Sequence, residues 1–323
     1  DWQYLVQFFM QLHTNLNFNT MNFKKIAFFI FINATLISCE DVIDFNLRAD
    51  GENQLVVDAW LNNTTDIQKI VLSYSQPYFD NAAPTMVSNA RVYLVDEDKT
   101  RYPFTEGKEQ GVYEYKPTSE TQTLSKIGKK YQLFVENNGQ VFTSVTNINR
   151  VPVIDSVRYE YFQLPFAPSD TVKREGYIAE FFARDFPGLG DTYWVRYKKN
   201  GVRDNSPSQI TLAYDAGFSP GSQSDGLIFI QPIRRSINSG PNLYQDGDEI
   251  EVELSSISND AFFFLSLVRQ ESSNGGIFAV PSGNIPTNIV NVNKDSREKA
   301  LGFFAISAVS TYKTKVKKEL AKR

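Results

Sequence analysis

The chain has 323 residues, a formal net charge of −4, and a single cysteine and a single histidine, Cys39 and His13. This acidic balance offers no basic surplus for nucleic acid, and one cysteine cannot form a disulfide within the chain. After Cys39 there is no cysteine or histidine, which excludes zinc sites and histidine-based nucleophile systems from that part of the chain. We therefore predict that the protein is not an enzyme and has no catalytic residue, no cofactor and no metal site.

The first predicted element is a secretory signal peptide over residues 21–38. It has a basic start, an apolar stretch over 26–37 and a small residue, Ser38, before Cys39. The stretch is too short for a membrane span, which needs about 20 apolar residues. Leu36-Ile37-Ser38-Cys39 resembles a bacterial lipobox, whose cysteine is acylated and becomes the first residue of the mature protein. We interpret residues 1–20 as a non-native upstream extension and 39–50 as a linker to the lipid anchor.

Most of the remaining chain shows the period-2 alternation of β-strands. The pattern is cleanest over 249–254, where Ile, Val and Leu share one face and three glutamates the other. Other strand candidates are 54–60, 68–75, 89–95, 111–116, 131–136, 140–147, 154–163, 176–184, 192–198, 226–231 and 301–310. Pro152 cannot donate to a ladder and marks a boundary. We predict a mainly β fold with two β-sandwich domains, of the immunoglobulin or transthyretin type, over 51–150 and 154–312.

One segment has the helical period instead. Ser258 and its neighbours offer capping side chains, and the apolar run that follows ends in a stretch rich in serine and glycine. We predict one α-helix near 259–271, packed on the second domain through a stripe at helical spacing: Ala261, Phe264, Leu265 and Val268. Residues 313–323 are rich in lysine and are predicted to form a solvated basic tail.

Three features are open to a chemical role. The glutamates of 249–254 could supply the paired carboxylates of a glycoside hydrolase, but their alternation is typical of a solvated sheet face. Asp246-Gly247-Asp248 offers clustered oxygens for calcium, without the spacing of an EF-hand. Trp60 and Trp194 could stack on sugars, although aromatic residues on strands more often pack against their neighbours.

Several segments after Cys39 carry a family resemblance in their order along the chain. They are Leu55-Val56-Val57-Asp58-Ala59-Trp60-Leu61, Leu72-Ser73-Tyr74-Ser75-Gln76-Pro77-Tyr78-Phe79-Asp80, Gly111-Val112-Tyr113-Glu114, Gly128-Lys129-Lys130-Tyr131-Gln132-Leu133, Val151-Pro152-Val153-Ile154-Asp155-Ser156-Val157, the stretch from Gly247-Asp248 to Ile257-Ser258, Pro281-Ser282-Gly283-Asn284-Ile285 and Leu301-Gly302-Phe303-Phe304. With them, residues 39–312 resemble a family of Bacteroidota outer-membrane lipoproteins known as domain of unknown function 4249. The lysine-rich end is not part of that pattern.

The resemblance implies a protein lipid-anchored to the outer membrane through Cys39 and facing the cell surface. Glu40 and Asp41 resemble the acidic signal that sends such lipoproteins to the surface. Asp170-Thr171-Val172 resembles the O-glycosylation sequence of exported Bacteroidota proteins, with Thr171 as the acceptor. The genes of this family often lie beside those of TonB-dependent receptors.

The leading expectation is therefore a non-enzymatic binding or accessory component of a TonB-dependent receptor system. The receptor is its expected partner, and no nucleic acid is involved. A structural or assembly factor of the cell envelope is the alternative, and a carbohydrate-active enzyme using paired carboxylates is a second one.

Overall fold

The computed structural model describes residues 53–76, 80, 82–124, 126–166, 169, 172–240, 242–274, 283 and 285–322. These residues are mainly β, as the alternating pattern predicts. The strands, in chain order, are β1 (Leu55–Asn62), β2 (Gln68–Tyr74), β3 (Arg91–Asp96), β4 (Arg101–Glu106), β5 (Val112–Tyr115), β6 (Lys130–Asn137), β7 (Gln140–Asn147), β8 (Ile154–Gln163), β9 (Glu175–Ala183), β10 (Thr192–Lys199), β11 (Thr211–Tyr214), β12 (Glu249–Ile257), β13 (Val290–Asn291), β14 (Ala300–Ser307) and β15 (Val309–Lys315). The helices are α1 (Gln231–Arg234) and α2 (Asn259–Ser272).

Nine strands form sheet 1, in the order β13-β7-β6-β3-β4-β5-β2-β1-β14. The sheet curls so that β14, at one edge, contacts β7 near the other. The inward residues of its strands enclose the first hydrophobic core, in which Val57, Ile70, Leu94 and Leu133 are fully buried. All neighbouring pairs in sheet 1 are antiparallel except β1 and β14, which run parallel with Leu55 opposite Ala300.

The second core lies between two smaller sheets. Sheet 2 has the order β11-β10-β12-β15, and sheet 3 pairs β8 with β9. Tyr193, Ile250 and Val252 of sheet 2 and Phe181 of sheet 3 are fully buried in this core. β15 contacts β8, and the Ser310 hydroxyl accepts the Ile154 amide at 3.0 Å, so the two sheets are joined along one side.

The predicted helix is confirmed as α2. The Ser258 side chain caps its N-terminus by accepting the amide of Ala261 at 3.2 Å. Its buried residues are Ala261, Phe262 and Leu265, so the packed stripe is shifted from the predicted one by the inclusion of Phe262. With Phe303 and Ala305 of β14 they form a third core, between α2 and sheets 1 and 2.

Two of the predicted strands differ in the structure, and β4, β11 and β13 have no predicted counterpart. Residues 226–231 do not form a strand: Ile228 makes an isolated bridge and Gln231 begins α1, which has a proline in its first turn. The predicted strand 301–310 is two strands, because the chain leaves sheet 1 after Ser307 and enters sheet 2 at Val309.

The end of the chain also differs from a free basic tail. Lys313 and Lys315 lie in β15, and Val316 is buried in the second core. Farther on, the Lys322 amide donates to the Tyr159 carbonyl at 3.1 Å, which ties the segment to β8. Residues 313–322 are therefore part of the fold.

The division into domains near residue 150 separates the first and second cores, but strands cross it. β13 and β14 come from the range 154–312 and complete sheet 1. The residues from Glu52 to Arg323 cluster into one compact unit. Among the described residues, none of the helices has the length and apolar character needed to cross a membrane.

Candidate functional site

The predicted modification residues lie outside the part of the chain that the structure describes. They are Cys39, Glu40, Asp41 and Thr171. The anchoring, surface export and glycosylation of these residues stay predictions from sequence.

The glutamates of β12 face away from the second core, as predicted, but they are not simply solvated. Glu253 lies between two arginines, pairing with Arg196 and with Arg203, the latter at 2.7 Å. Glu251 pairs with Lys198 of β10 at 2.7 Å and with Lys313 of β15 at 2.9 Å. The side chains of Glu251 and Glu253 are only 15% and 14% exposed. This face of sheet 2 is a ladder of ion pairs across three strands.

The ladder holds its carboxylates in the ionised form. Burial favours protonation of Glu253, but Arg196 and Arg203 outweigh it and lower the pKa below its ordinary value. Lys198 likewise lowers the pKa of Glu251. A general acid of a glycoside hydrolase needs the opposite shift, whereas Glu251 and Glu253 use their carboxylates in ion pairs.

Asp246 and Asp248 use their oxygens within the fold. Asp246 accepts the Lys318 amide at 2.9 Å. Asp248 accepts the Gln245 amide through one oxygen and the Asn200 side chain through the other, both at 2.8 Å, and its carboxylate pairs with Lys199 at 3.1 Å. The Asp246-Gly247-Asp248 turn thus fastens β12 to its neighbours and is not arranged as a calcium site.

Trp60 and Trp194 pack against each other at the junction of the two large sheets. Their ring centroids are 5.4 Å apart, and Trp60 stacks on Phe303 at 5.5 Å. Phe264 of α2 approaches Phe303 at 4.6 Å and completes the cluster. The tryptophans therefore pack between β1, β10, β14 and α2. This is the packing role that aromatic residues on strands more often have.

One outer surface of sheet 1 carries exposed apolar side chains among polar ones such as the Arg91–Glu136 ion pair. On this face, opposite the first core, β7 presents Val145, the edge strand β13 presents Val290, and Val292 follows β13. These valines are 56%, 56% and 54% exposed. On the same face the strands next to them present Phe134 and Tyr93, whose rings stack at 5.0 Å. We call Tyr93, Phe134, Val145, Val290 and Val292 the outer strip. Exposed apolar side chains that lie close together are candidates for an interaction surface.

Three aspartates from separate parts of the second half converge. Asp185 follows β9, Asp215 follows β11 and Asp225 lies in the loop after it; each offers a carboxylate oxygen, and these oxygens all lie within 4.8 Å of one another. Asp185 is 1% exposed and Asp215 is fully buried, while Asp225 is half-buried. We call this group the aspartate cluster.

The loops around the aspartate cluster position its carboxylates with backbone amides. Asp215 Oδ1 accepts the amides of Gly190 and Asp191 at 2.8 and 3.1 Å. Asp225 Oδ1 accepts the Gly188 amide at 2.9 Å.

Asp185 is held by one amide and one phenol. Its two oxygens accept the Tyr193 hydroxyl at 2.6 Å and the Gly226 amide at 3.1 Å. Burial raises the pKa of the Asp185 carboxyl, and the nearby charges of Asp191 and Asp215 act in the same direction.

The aspartate cluster is not predictable from the sequence because its members come from two loops that are separated by β10 and β11. The local signal is weak: two aspartates flank a stretch rich in glycine and serine over 215–226. Only the packing of sheet 3 on sheet 2, which brings the ends of β9 and β11 together, places Asp185 beside them.

A model of the family described as domain of unknown function (DUF4249) matches residues 40–313. The chain belongs to the DUF4249 family. The match spans nearly all of the described structure, both large sheets included, and it begins at the residue that follows Cys39. A search of the curated proteins found no match to this DUF4249 protein.

Proposed function

We propose that this DUF4249 protein is a lipoprotein anchored to the outer membrane through Cys39 and facing the cell surface. It acts as a non-enzymatic binding or accessory component of a TonB-dependent receptor system. The observation that carries the proposal is the start of the family match at residue 40, directly after Cys39. The matched domain therefore begins directly after Cys39, the cysteine of the lipobox-like sequence that ends the predicted signal peptide.

The outer strip supports the docking part of the proposal. A partner that covers Val145, Val290 and Val292 buries apolar surface that is otherwise in water. Because these valines are about half exposed, each contributes about half of the ~1.5–3 kcal/mol for burying a fully exposed side chain. The strip also includes a tyrosine, with Arg101 placed 3.7 Å from its ring centroid. Aromatic and arginine side chains are enriched at protein interfaces. We propose that the receptor docks on this strip.

The anchoring claim is tested with Cys39→Ser, compared with Ser38→Ala as the control that keeps a small residue before the cysteine. We expect the wild type and Ser38→Ala to stay in the outer-membrane fraction after a high-salt wash and to incorporate a fatty-acid label. Cys39→Ser should lose both, because several acyl chains are needed for stable anchoring. Retention of Cys39→Ser in the washed membrane would contradict the proposal.

The docking claim is tested by co-purification from detergent-solubilised outer membranes. The double variant Val145→Lys/Val290→Lys places charges on the outer strip, and Val153→Lys changes a valine that is 74% exposed elsewhere. We expect a TonB-dependent receptor to co-purify with the wild type and Val153→Lys and to be lost from the double variant, whose thermal unfolding should be unchanged. Equal recovery with all three would show that the strip is not the docking surface.

A further inference from the structure

We propose that the aspartate cluster is a binding site for a hard divalent cation, Ca²⁺ in preference to Mg²⁺. The inference rests on Asp185, Asp215 and Asp225 and does not depend on the proposed anchoring or on the receptor.

The spacing of the carboxylates fits one coordination sphere. Calcium binds oxygen ligands at about 2.4 Å, so two ligands of one ion lie at most about 4.8 Å apart. The three carboxylates offer oxygens that are all within 4.8 Å of one another. A single ion can therefore contact one oxygen of each aspartate with small adjustments.

The aspartate cluster has no direct ion-pair partner among the described residues. Arg150 interacts with Asp185 at longer range, but it pairs directly with Asp191 at 2.7 Å. Arg184 donates to the Gly226 carbonyl at 3.1 Å. Buried carboxylates are normally paired or bound to a metal. A cation bound from solution would offset the negative charge of the three carboxylates.

Asp215 supplies an independent sign of a missing ligand. Its residue is fully buried, and Oδ1 is taken by two backbone amides. Oδ2 is also buried and has no hydrogen-bond partner. A buried anionic oxygen without a partner is costly, and one within a group of carboxylates is a natural metal ligand.

The ligand type selects the class of ion. Carboxylate oxygens suit calcium and magnesium, whereas zinc prefers histidine or cysteine, which this part of the chain lacks. Magnesium demands near-ideal octahedral geometry at about 2.0–2.1 Å, while calcium accepts irregular sites built from loops. The three aspartates come from two loops, one between β9 and β10 and one after β11, which favours calcium, with water or nearby carbonyls completing its ligands.

Such an ion would fasten two loops to each other at one end of the second core. Asp185 closes β9, the Gly188–Asp191 turn leads into β10, and Asp215 and Asp225 bracket the loop after β11. Because calcium binds this arrangement only when the loops are folded, it shifts the unfolding equilibrium by mass action. At calcium about 100 times the dissociation constant, the unfolding constant should fall about 100-fold.

The test compares thermal unfolding and calorimetric titration of chelator-treated full chain with Ca²⁺, with Mg²⁺ and without either. Asp215→Asn removes one charge but preserves the shape and the amide contacts, and asparagine tolerates the left-handed backbone of this position, where φ is 49°. Asp225→Asn changes the half-buried member. Asp246→Asn is the matched control, because Asp246 can keep accepting the Lys318 amide as asparagine.

We expect calcium to raise the melting temperature of the wild type and of Asp246→Asn, with heat of binding at one site. Asp215→Asn and Asp225→Asn should bind at least 10-fold more weakly. Without metal, Asp215→Asn should melt at or above the wild-type temperature, because one repulsive charge is gone. The rival explanation is that the cluster is neutralised by protons alone. The absence of a calcium effect up to about 10 mM, a concentration well above the dissociation constants of extracellular calcium modules, would overturn the proposal. An equal calcium effect in Asp215→Asn and the wild type would overturn it too.

Discussion

Glu253 shows how a residue on an outward sheet face becomes part of the structure. It is the common partner of Arg196 and Arg203, and the Arg196 guanidinium lies 4.3 Å from the centroid of the Trp194 ring. The long arginine side chains cover the carboxylate, so the group is ionised and mostly out of water. Replacing it therefore leaves cations without a partner in a partly buried place.

Glu253→Gln is expected to lower the free energy of unfolding by about 3 kcal/mol at pH 7, the lower end of the range for breaking a buried ion pair. The pKa of Glu253 is lower in the folded protein than its ordinary value of 4.5. Its stabilisation is thus fully present above that value and is lost as the pH falls through the folded pKa. Denaturant unfolding from pH 7 to pH 3 should show the gap between wild type and variant closing.

Glu251→Gln is the matched control for this prediction. It lies on the same face, but its partners Lys198 and Lys313 are 32% and 55% exposed. We expect a cost below about 1 kcal/mol. Equal losses for the two variants would mean that Glu253 gains nothing from being enclosed by its arginines.

β14 depends on a glycine where it runs parallel to β1. Gly302 has a φ of 91°, and a Cβ added there would lie 2.0 Å from the Val57 carbonyl oxygen. No side chain fits that approach, and other residues rarely adopt this backbone conformation. Gly302 therefore sets how closely the two strands meet.

Gly302→Ala is expected to destabilise the fold by about 3–5 kcal/mol, since it adds a backbone clash to a strained conformation. Gly247→Ala is the control: its φ is 87° but an added Cβ would meet nothing within 4 Å, so only strain of about 1–2 kcal/mol remains. Urea unfolding of both variants separates the two effects. Similar midpoints would show that β14 can move away from β1.

At the level of elements, the sequence predicts what is locally periodic. β12 is predictable from the alternation of its own residues, and α2 is predictable from the serine that directly precedes it. The apolar run 226–231 misleads because Phe229, Ile233 and Ile237, all fully buried, follow a helical spacing that continues beyond the run. The sequence predicts β14 and β15 as one strand because residues 303–306 are buried on both faces. They therefore lack the alternation that would mark where one strand ends and the next begins.

The candidate sites depend on long-range pairing, which no local pattern encodes. Val290 belongs to a two-residue strand whose place beside β7 follows from the tertiary fold. Asp185 and Asp215 are brought together only when β9 and β11 are placed. Lys313 was assigned to a tail on composition alone, yet its ammonium meets Glu251 across β15 and β12. For these residues the side-chain type is known from the sequence, but which strand or loop each one lies beside is not.

The molecule as a whole is held together by strands that cross its two cores. Sheet 1 takes β14 from the far end of the chain, and the Val309 amide donates to the Asn63 side chain at 3.0 Å just where the chain leaves for sheet 2. The Ser256 hydroxyl donates to the Asn149 carbonyl at 2.7 Å and links β12 to the connection between the cores. We therefore expect the two halves to unfold together.

A fragment of residues 51–150, the predicted first domain, should fail to fold alone. Without β14 the first core loses Phe304 and Ile306, and β1 becomes an unprotected edge. Circular dichroism and thermal unfolding of the fragment should show no cooperative transition. The full chain serves as the control and should give a single transition. Independent, cooperative melting of the fragment would show instead that it is a separate domain.

The pairing of β1 with β14 also sets the order in which the protein can be completed during synthesis. β1 is among the first strands to be synthesised, and its parallel partner β14 is among the last. Local hairpins such as β6–β7 can form early, while the open edge of β1 waits for almost the whole chain and is available to other polypeptides meanwhile. The interval between translation of the two strands is therefore when the nascent chain is most exposed to aggregation, and when binding by a chaperone would protect it most.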